Sequence, residues 1–267
     1  MANEYRNKEW LYNKYWNEEL SQAKISRLCG VCCWTIWYWL KKYNIPIRSL
    51  SESIHLGNVN HCNLSQEAIE WIQGELLGDG CLTTTAKKDD LPSNNLSALF
   101  RYSSKYEEYI NYISDTLKSF GVEQSGEIIK QYDKRYNNYS YKYNSRSYKE
   151  LMDIYKQWYP NGKKIIPKDI ILTPLTCRQW YIGDGSLIQR RMKRIKPYII
   201  LCSCGFLIED VNRAIRELNN LGIKATRHSM NMIYISVYFV KYFLNYIGKC
   251  PVKCYRYKWL YQKGDEA

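Results

Sequence analysis

Apolar residues recur along this chain with two periods, one of about 3.6 residues and one of two, and the switches between them mark out the elements. Residues 7–20, NKEWLYNKYWNEEL, predict an amphipathic helix. In residues 21–49 Ile25, Leu28, Val31, Ile36, Trp39 and Leu40 fall at helical spacing, interrupted at Gly30. A helix, a glycine turn and a second helix ending in Lys41-Lys42 predict a helix-turn-helix domain over residues 1–50. The small Ser26 suits a place where two crossing helices approach closely. Trp34, Thr35, Trp37, Tyr38, Lys41 and Lys42 are left facing outward, which makes Trp37, Lys41 and Lys42 candidate DNA contacts. The alternative is a plain helical hairpin that docks on the rest of the protein. Residues 51–63, SESIHLGNVNHCN, have no apolar period and predict a linker.

The remainder reads as one pattern written twice. Residues 65–82, SQEAIEWIQGELLGDGCL, predict a helix capped by Ser65, with Ile69, Ile72 and Leu76 on one stripe. A polar hairpin, a strand (LSALFRYS), a helix (KYEEYINYISDTLKSFG), two strands (EIIKQY and YSYKYNS) and a helix (SYKELMDIYKQWY) follow. The second half opens on LTCRQWYIGDGSL and repeats that order, its first hairpin carrying a basic tip. Ile110, Leu117, Phe120, Gly121 and Val122 match Val211, Leu218, Leu221, Gly222 and Ile223 at a constant offset of 101. The aspartates Asp79 and Asp184 are offset by 105, so the first hairpin is longer by about four residues, the polar insert. The expectation is an α+β fold of two α-β-β-α-β-β-α halves, 64–165 and 166–267.

Composition narrows the partner more than the fold. Of 267 residues 45% are hydrophobic, so a real core is expected. The formal net charge of +13 favours a polyanion. The 26 tyrosines fit a nucleic-acid surface, where a phenol both stacks and hydrogen-bonds, and equally an A/T-rich coding sequence. Ten cysteines with no secretory signal predict buried, reduced thiols. Cys29 and Cys32 have a zinc-like spacing but lack a second ligand pair, and Cys202-Ser203-Cys204 alternates as strand residues do. No apolar run approaches a membrane span.

The candidate chemistry lies in two related stretches, ELLGDGCL and YIGDGSL. Each aspartate sits where a helix ends, beside partial negative charge that disfavours it. Gly80 and Gly185 can take the left-handed cap conformation. Gly74, Gly78 and Gly183 lie where two helices can pack nearly backbone to backbone. Packed side by side, those helices bring Asp79 and Asp184 together, and two such carboxylates repel unless cations lie between them. Oxygen-only ligands with water in the remaining positions suit Mg2+, and shared Mg2+ beside a basic surface points to phosphodiester hydrolysis. For DNA contact, strand alternation nominates Arg101, Ser103, Lys142 and Asn144 in the first half and Lys224, Thr226 and His228 in the second. Arg190, Arg191, Lys193, Arg194 and Lys196 at the second hairpin's tip would grip phosphates.

Those motifs, IQGELLGDG and CRQWYIGDG, together with the segment IPKDIILTPLTCRQWYIGDGSL, resemble the LAGLIDADG homing endonucleases in their single-chain, two-motif form, over residues 64 to about 262. The resemblance implies a monomer whose saddle-shaped antiparallel sheets lie on DNA and a staggered double-strand cut. By position it implies that Asp79 and Asp184, with the adjoining Gly78 and Gly183, form the metal site. The motifs' sixth position, often acidic in the family, is Leu77 and Ile182 here. Lys164 in KKIIP and Lys258 in YRYKWL resemble two catalytic lysines of one branch. The N-terminal module resembles the accessory DNA-binding domains of mobile-intron endonucleases. The rival readings are an RNA maturase acting on its host intron RNA, and a DNA-binding regulator on an inactive nuclease fold. Both ends lack a protein-splicing nucleophile or His-Asn pair, so an intein origin is not expected. The expected location is the cytoplasm or an organellar matrix.

Overall fold

A computed structural model describes residues 3–49, 53, 60–84, 97–134, 137–190 and 195–260. The chain divides into two compact units, Met1–His61 with Thr84–Ser97, and Cys62–Thr83 with Ala98–Ala267. Among the described residues no helix is long and apolar enough to cross a membrane.

The first unit is helical. α1 (Lys8–Tyr12) continues as a π-helical turn through Asn17, and α2 (Gln22–Cys29) and α3 (Cys33–Lys42) follow. Ser21 caps α2 by accepting the Lys24 N–H, and Gly30 ends it with φ at +66°, a value glycine adopts without strain. Tyr5, Leu11, Tyr15, Ile25, Ile36, Leu40 and Ile45 make its core. The expectation fails at Leu28, which is 50% exposed. The α2 stripe runs through Ile25 and Cys29, one helical turn apart, and Leu28 falls beside it.

The second unit carries the repeat. Its first half holds α4 (Gln66–Leu77), β1 (Cys81–Thr84), β2 (Ala98–Ser104), α5 (Glu107–Ser119), β3 (Ile129–Asp133), β4 (Asn138–Asn144) and α6 (Lys149–Trp158). Its second half holds α7 (Pro174–Asp184), β5 (Gly185–Arg190), β6 (Ile195–Leu201), α8 (Ile208–Asn220), β7 (Ala225–Arg227), β8 (Ile233–Ile235) and α9 (Val240–Ile247). The sheets have the same topology, β1-β2-β4-β3 and β5-β6-β8-β7. Each is buried on one face. Phe100, Tyr102 and Tyr143 point inward in the first sheet, and Ile199, Leu201, Ile233 and Ile235 in the second. β6 stops at Leu201, so Cys202-Ser203-Cys204 is not strand. The Cys202 N–H instead donates to the Asp184 carbonyl at 2.9 Å. All ten cysteines are free thiols, yet only Cys29, Cys62 and Cys177 are buried, so the expectation of buried thiols holds for three.

Helix starts are locally encoded. Ser65 Oγ accepts the Ala68 N–H at 3.2 Å, and Thr173 Oγ1 accepts the Thr176 N–H at 3.2 Å ahead of Pro174. Replacing Ser65 with alanine orphans one helix donor. The expected loss is about 1 kcal/mol in urea unfolding with an unchanged m-value.

Candidate active site

α4 and α7 carry the two motifs and pack on each other through glycine. A Cβ on Gly74 would stand 2.6 Å from the Thr176 carbonyl oxygen and 2.8 Å from Gln179 Cβ. One on Gly78 would stand 3.3 Å from Gly183 Cα, and one on Gly183 3.1 Å from the Asp79 nitrogen. The three glycines therefore set the helix separation, and the crossing brings the two aspartates together. Gly80 and Gly185 differ from expectation, since neither has positive φ and Gly185 sits at −85°. They are required for space: a Cβ on Gly80 would meet the Glu75 carbonyl at 2.7 Å, and one on Gly185 would overlap the Tyr181 ring at 2.0 Å.

Asp79 is exposed and Asp184 half-buried. Burial, then repulsion from Asp79, raises the Asp184 carboxyl to about 7 against the pull of Lys164 and Lys258. The lysines occupy matching places. Lys164 Nζ donates to the carbonyls of Gly78 (3.3 Å) and Gly80 (2.8 Å). Lys258 Nζ donates to those of Tyr181 (3.3 Å), Ile182 (2.5 Å) and Gly183 (3.3 Å). Each ammonium thus sits at a motif helix's C-terminal end, where partial negative charge favours it. Burial lowers the Lys258 ammonium to about 8 and also lowers Lys164, while both aspartates oppose the shift.

These lysines are held from outside the motifs. The segment after Lys164 is pinned where Asp210 Oδ2 accepts the Ile166 N–H at 3.1 Å, and Arg213 binds both Asp210 (2.8 Å) and the Ile166 carbonyl (2.5 Å). Lys258 lies in the turn Lys253–Trp259. Glu108 anchors that turn by accepting the N–H groups of Lys253 (2.6 Å) and Cys254 (3.0 Å).

Sequence reasoning missed the polar groups beneath the crossing. Glu75 is fully buried, and its Oε1 accepts from the Tyr109 hydroxyl (2.5 Å) and from Gln179 Nε2 (2.7 Å). Burial outweighs those two bonds and raises the Glu75 carboxyl to about 8. Tyr102 donates from its hydroxyl to Asp79 Oδ2 at 3.5 Å. Burial and the neighbouring Glu75 and Asp79 hold the Tyr102 phenol well above the ordinary value, so it stays a donor. The available signal was Gln179, which takes the third motif position that glycine takes in the first copy.

The nominated strand residues fall into two groups. Arg101 pairs with Asn144 and Ser103 with Lys142 across β2 and β4, so the four share one face, with Arg101 and Ser103 exposed. Lys142 Nζ also reaches Gln131 Oε1 at 2.6 Å. Thr226 is exposed on β7 and Lys224 and His228 are exposed at its two ends, with His228 stacked on Tyr234. In the first unit Trp37, Lys41 and Lys42 are exposed, and Lys41 lies over the Trp37 ring. Lys196 is exposed, whereas the Arg190 side chain and Arg191, Lys193 and Arg194 lie outside the described residues.

Two matched α+β halves, joined where Gly78 meets Gly183 at the ends of α4 and α7, define a single-chain pseudo-dimer. The chain belongs to the LAGLIDADG DNA endonuclease family, whose sequence model matches residues 69–243. It is 27% identical over 191 residues to the uncharacterized protein MJ1098 of Methanocaldococcus jannaschii, covering 68% of this chain and 66% of that protein. It is 26% identical over 172 residues to the cytochrome b mRNA maturase bI2 of Debaryomyces hansenii, covering 62% of this chain and 61% of that protein. The chain thus spans less than two thirds of each relative. In structure it is similar to the homing endonuclease I-WcaI bound to its DNA recognition sequence, with a TM-score of 0.63 at 21% identity. That likeness covers 83% of this chain and 98% of that one, and shows a shared fold.

Proposed function

We propose that the chain is a site-specific DNA endonuclease that makes a staggered double-strand cut by metal-dependent phosphodiester hydrolysis. The observation that carries this reading is the meeting of Asp79 and Asp184 where Gly78 crosses Gly183. Two carboxylates so placed are at odds with stability alone, and a divalent cation removes the conflict. Among the described residues no cluster of three or more His, Cys, Asp or Glu could hold a metal. The donor set is two carboxylates with neighbouring backbone carbonyls at Gly78 and Gly183, all hard oxygens, which fits Mg2+ completed by water and phosphate. When bound, the ion would activate water and stabilise charge on the scissile phosphate. Lys164 and Lys258 would stabilise that developing charge from either side.

Residues 1–50 would form an accessory DNA-binding domain, 51–63 a linker, and 64–165 and 166–267 the two halves. Arg101, Ser103, Lys142 and Asn144, with Lys224, Thr226 and His228, would contact base edges in the major groove. The basic hairpin tip, and Trp37, Lys41 and Lys42 of α3, would add contacts that raise effective concentration at the site. The protein would act as a monomer in the cytoplasm or an organellar matrix.

The test is cleavage of a random-site plasmid library in Mg2+. Wild type is expected to yield linear product from a small set of sequences. Lys258→Met is expected to slow the cut about 100-fold with duplex affinity within about twofold of wild type, read by gel shift in Ca2+. The similarity to the bI2 maturase favours a second reading, an RNA splicing cofactor. Tight binding of an intron RNA with no cleavage of any plasmid would establish that reading instead.

A further inference from the structure

The halves repeat in fold but differ in what surrounds each aspartate. Their sheets share a frame, since Gln124 bridges Ser145 in the first as Ala225 pairs with Ile235 in the second. Two residues back along the inner strand stand Tyr143 and Ile233, whose partners are Tyr102 and Leu201. Tyr102 and Leu201 are therefore equivalent positions. The first puts a hydroxyl on Asp79 Oδ2, and the second has no group that can hydrogen-bond to Asp184.

The phenol is fixed where it stands. Tyr102 is 3% exposed, and its ring meets Tyr109 edge-on at 5.4 Å. Tyr109 is in turn bound to Glu75 and stacked on Tyr112. A Cβ on Gly183 would lie 3.5 Å from the Tyr102 hydroxyl, so that oxygen sits at the crossing of the two motif helices.

We propose that Tyr102 is a one-sided positioning residue: its hydroxyl engages one oxygen of Asp79 and leaves the other for the metal, an orientation that Asp184 lacks. The inference rests on the endonuclease reading. On that reading each of the two matched halves would face one strand of a bound duplex. The contribution of Tyr102 therefore falls on one scissile phosphate more than on the other.

The test compares full-length wild type with Tyr102→Phe, a change that keeps the ring and removes the hydroxyl. Mn2+ binding is followed by electron paramagnetic resonance without DNA. Cleavage of the plasmid-selected target is followed with each strand labelled separately. Tyr102→Phe is expected to bind Mn2+ about fivefold more weakly and to cut one strand about fivefold more slowly, with nicked plasmid accumulating. Tyr143→Phe removes a buried hydroxyl from the paired position on β4, away from the aspartates, and is expected to match wild type in both measurements. Unchanged Mn2+ affinity in Tyr102→Phe, or equal slowing of both strands, overturns the proposal. Wild type that binds Mn2+ yet cuts no DNA defeats the endonuclease reading alone, while the Mn2+ comparison still decides the role of Tyr102. Circular dichroism and the melting midpoint verify that both variants keep the fold.

Discussion

Asp184→Asn is expected to abolish double-strand cleavage and, in metal-free buffer at pH 8, to make the protein more stable. Loss of one metal-holding carboxylate removes several kcal/mol of transition-state stabilisation, a rate loss of about 1,000-fold or more. The gain in stability follows from burial. The Asp184 carboxyl stands at about 7 in the folded protein against an ordinary value of 3.8. A carboxyl raised on folding contributes its stability below the unfolded value and loses it as pH rises through the folded one. Wild type is therefore penalised across pH 4 to 7, and asparagine is not. Urea unfolding should show the two proteins converging near pH 4 and the variant ahead by about 4 kcal/mol at pH 8. Added Mg2+ should stabilise wild type and leave the variant unmoved. A variant that cuts both strands at the wild-type rate would refute the shared-metal reading.

Gly74→Val should carry the largest stability loss of any single change at the helix crossing. The new Cβ points at the Thr176 carbonyl 2.6 Å away, a backbone atom that cannot rotate aside. α4 and α7 must separate, which also strains the bond from Gln179 to Glu75. The expected cost is about 3 kcal/mol or more, with a melting midpoint lower by about 10 °C. Cleavage should fall with it, because the same separation parts Asp79 from Asp184. Gly205→Ala provides the comparison. A Cβ there meets nothing within 4 Å, and its melting midpoint should stay within about 2 °C of wild type.

The element order of both halves was legible because hydrophobic period, caps and repeat agree along the chain. Gly78 and Gly183 were legible because they recur at one motif position in both copies, and Gly74 because it lies one helical turn before Gly78, where a small residue again allows close helix approach. Gly80 and Gly185 were misread for a physical reason. A glycine after a helix more often supplies a left-handed cap, and only coordinates show that the obstacle is Glu75 or Tyr181. Glu75 escaped notice because an acid near a helix end reads as solvent-facing. Its burial depends on Tyr109 and Gln179, distant in sequence by 34 and 104 residues. Tyr102 read as an inward sheet residue and is one, but its contact with Asp79 depends on how β2 lies against α4. Leu28 shows the limit of spacing alone, since one step around a short helix moved it from core to solvent.

The seam between α4 and α7 has a consequence for ancestry. On one side Gly74 leaves a notch, and on the other Gln179 fills it and reaches Glu75. Such a seam is not self-complementary. Two copies of the first half would oppose Gly74 to Gly74, leaving a void where Gln179 stands and two buried Glu75 carboxyls without their amide donor. Two copies of the second would oppose Gln179 to Gln179 with no acid to receive either amide. A symmetric dimer requires each surface to match itself, and these surfaces match only each other. The halves are obligate complements, and neither presents a surface from which a homodimer could be built.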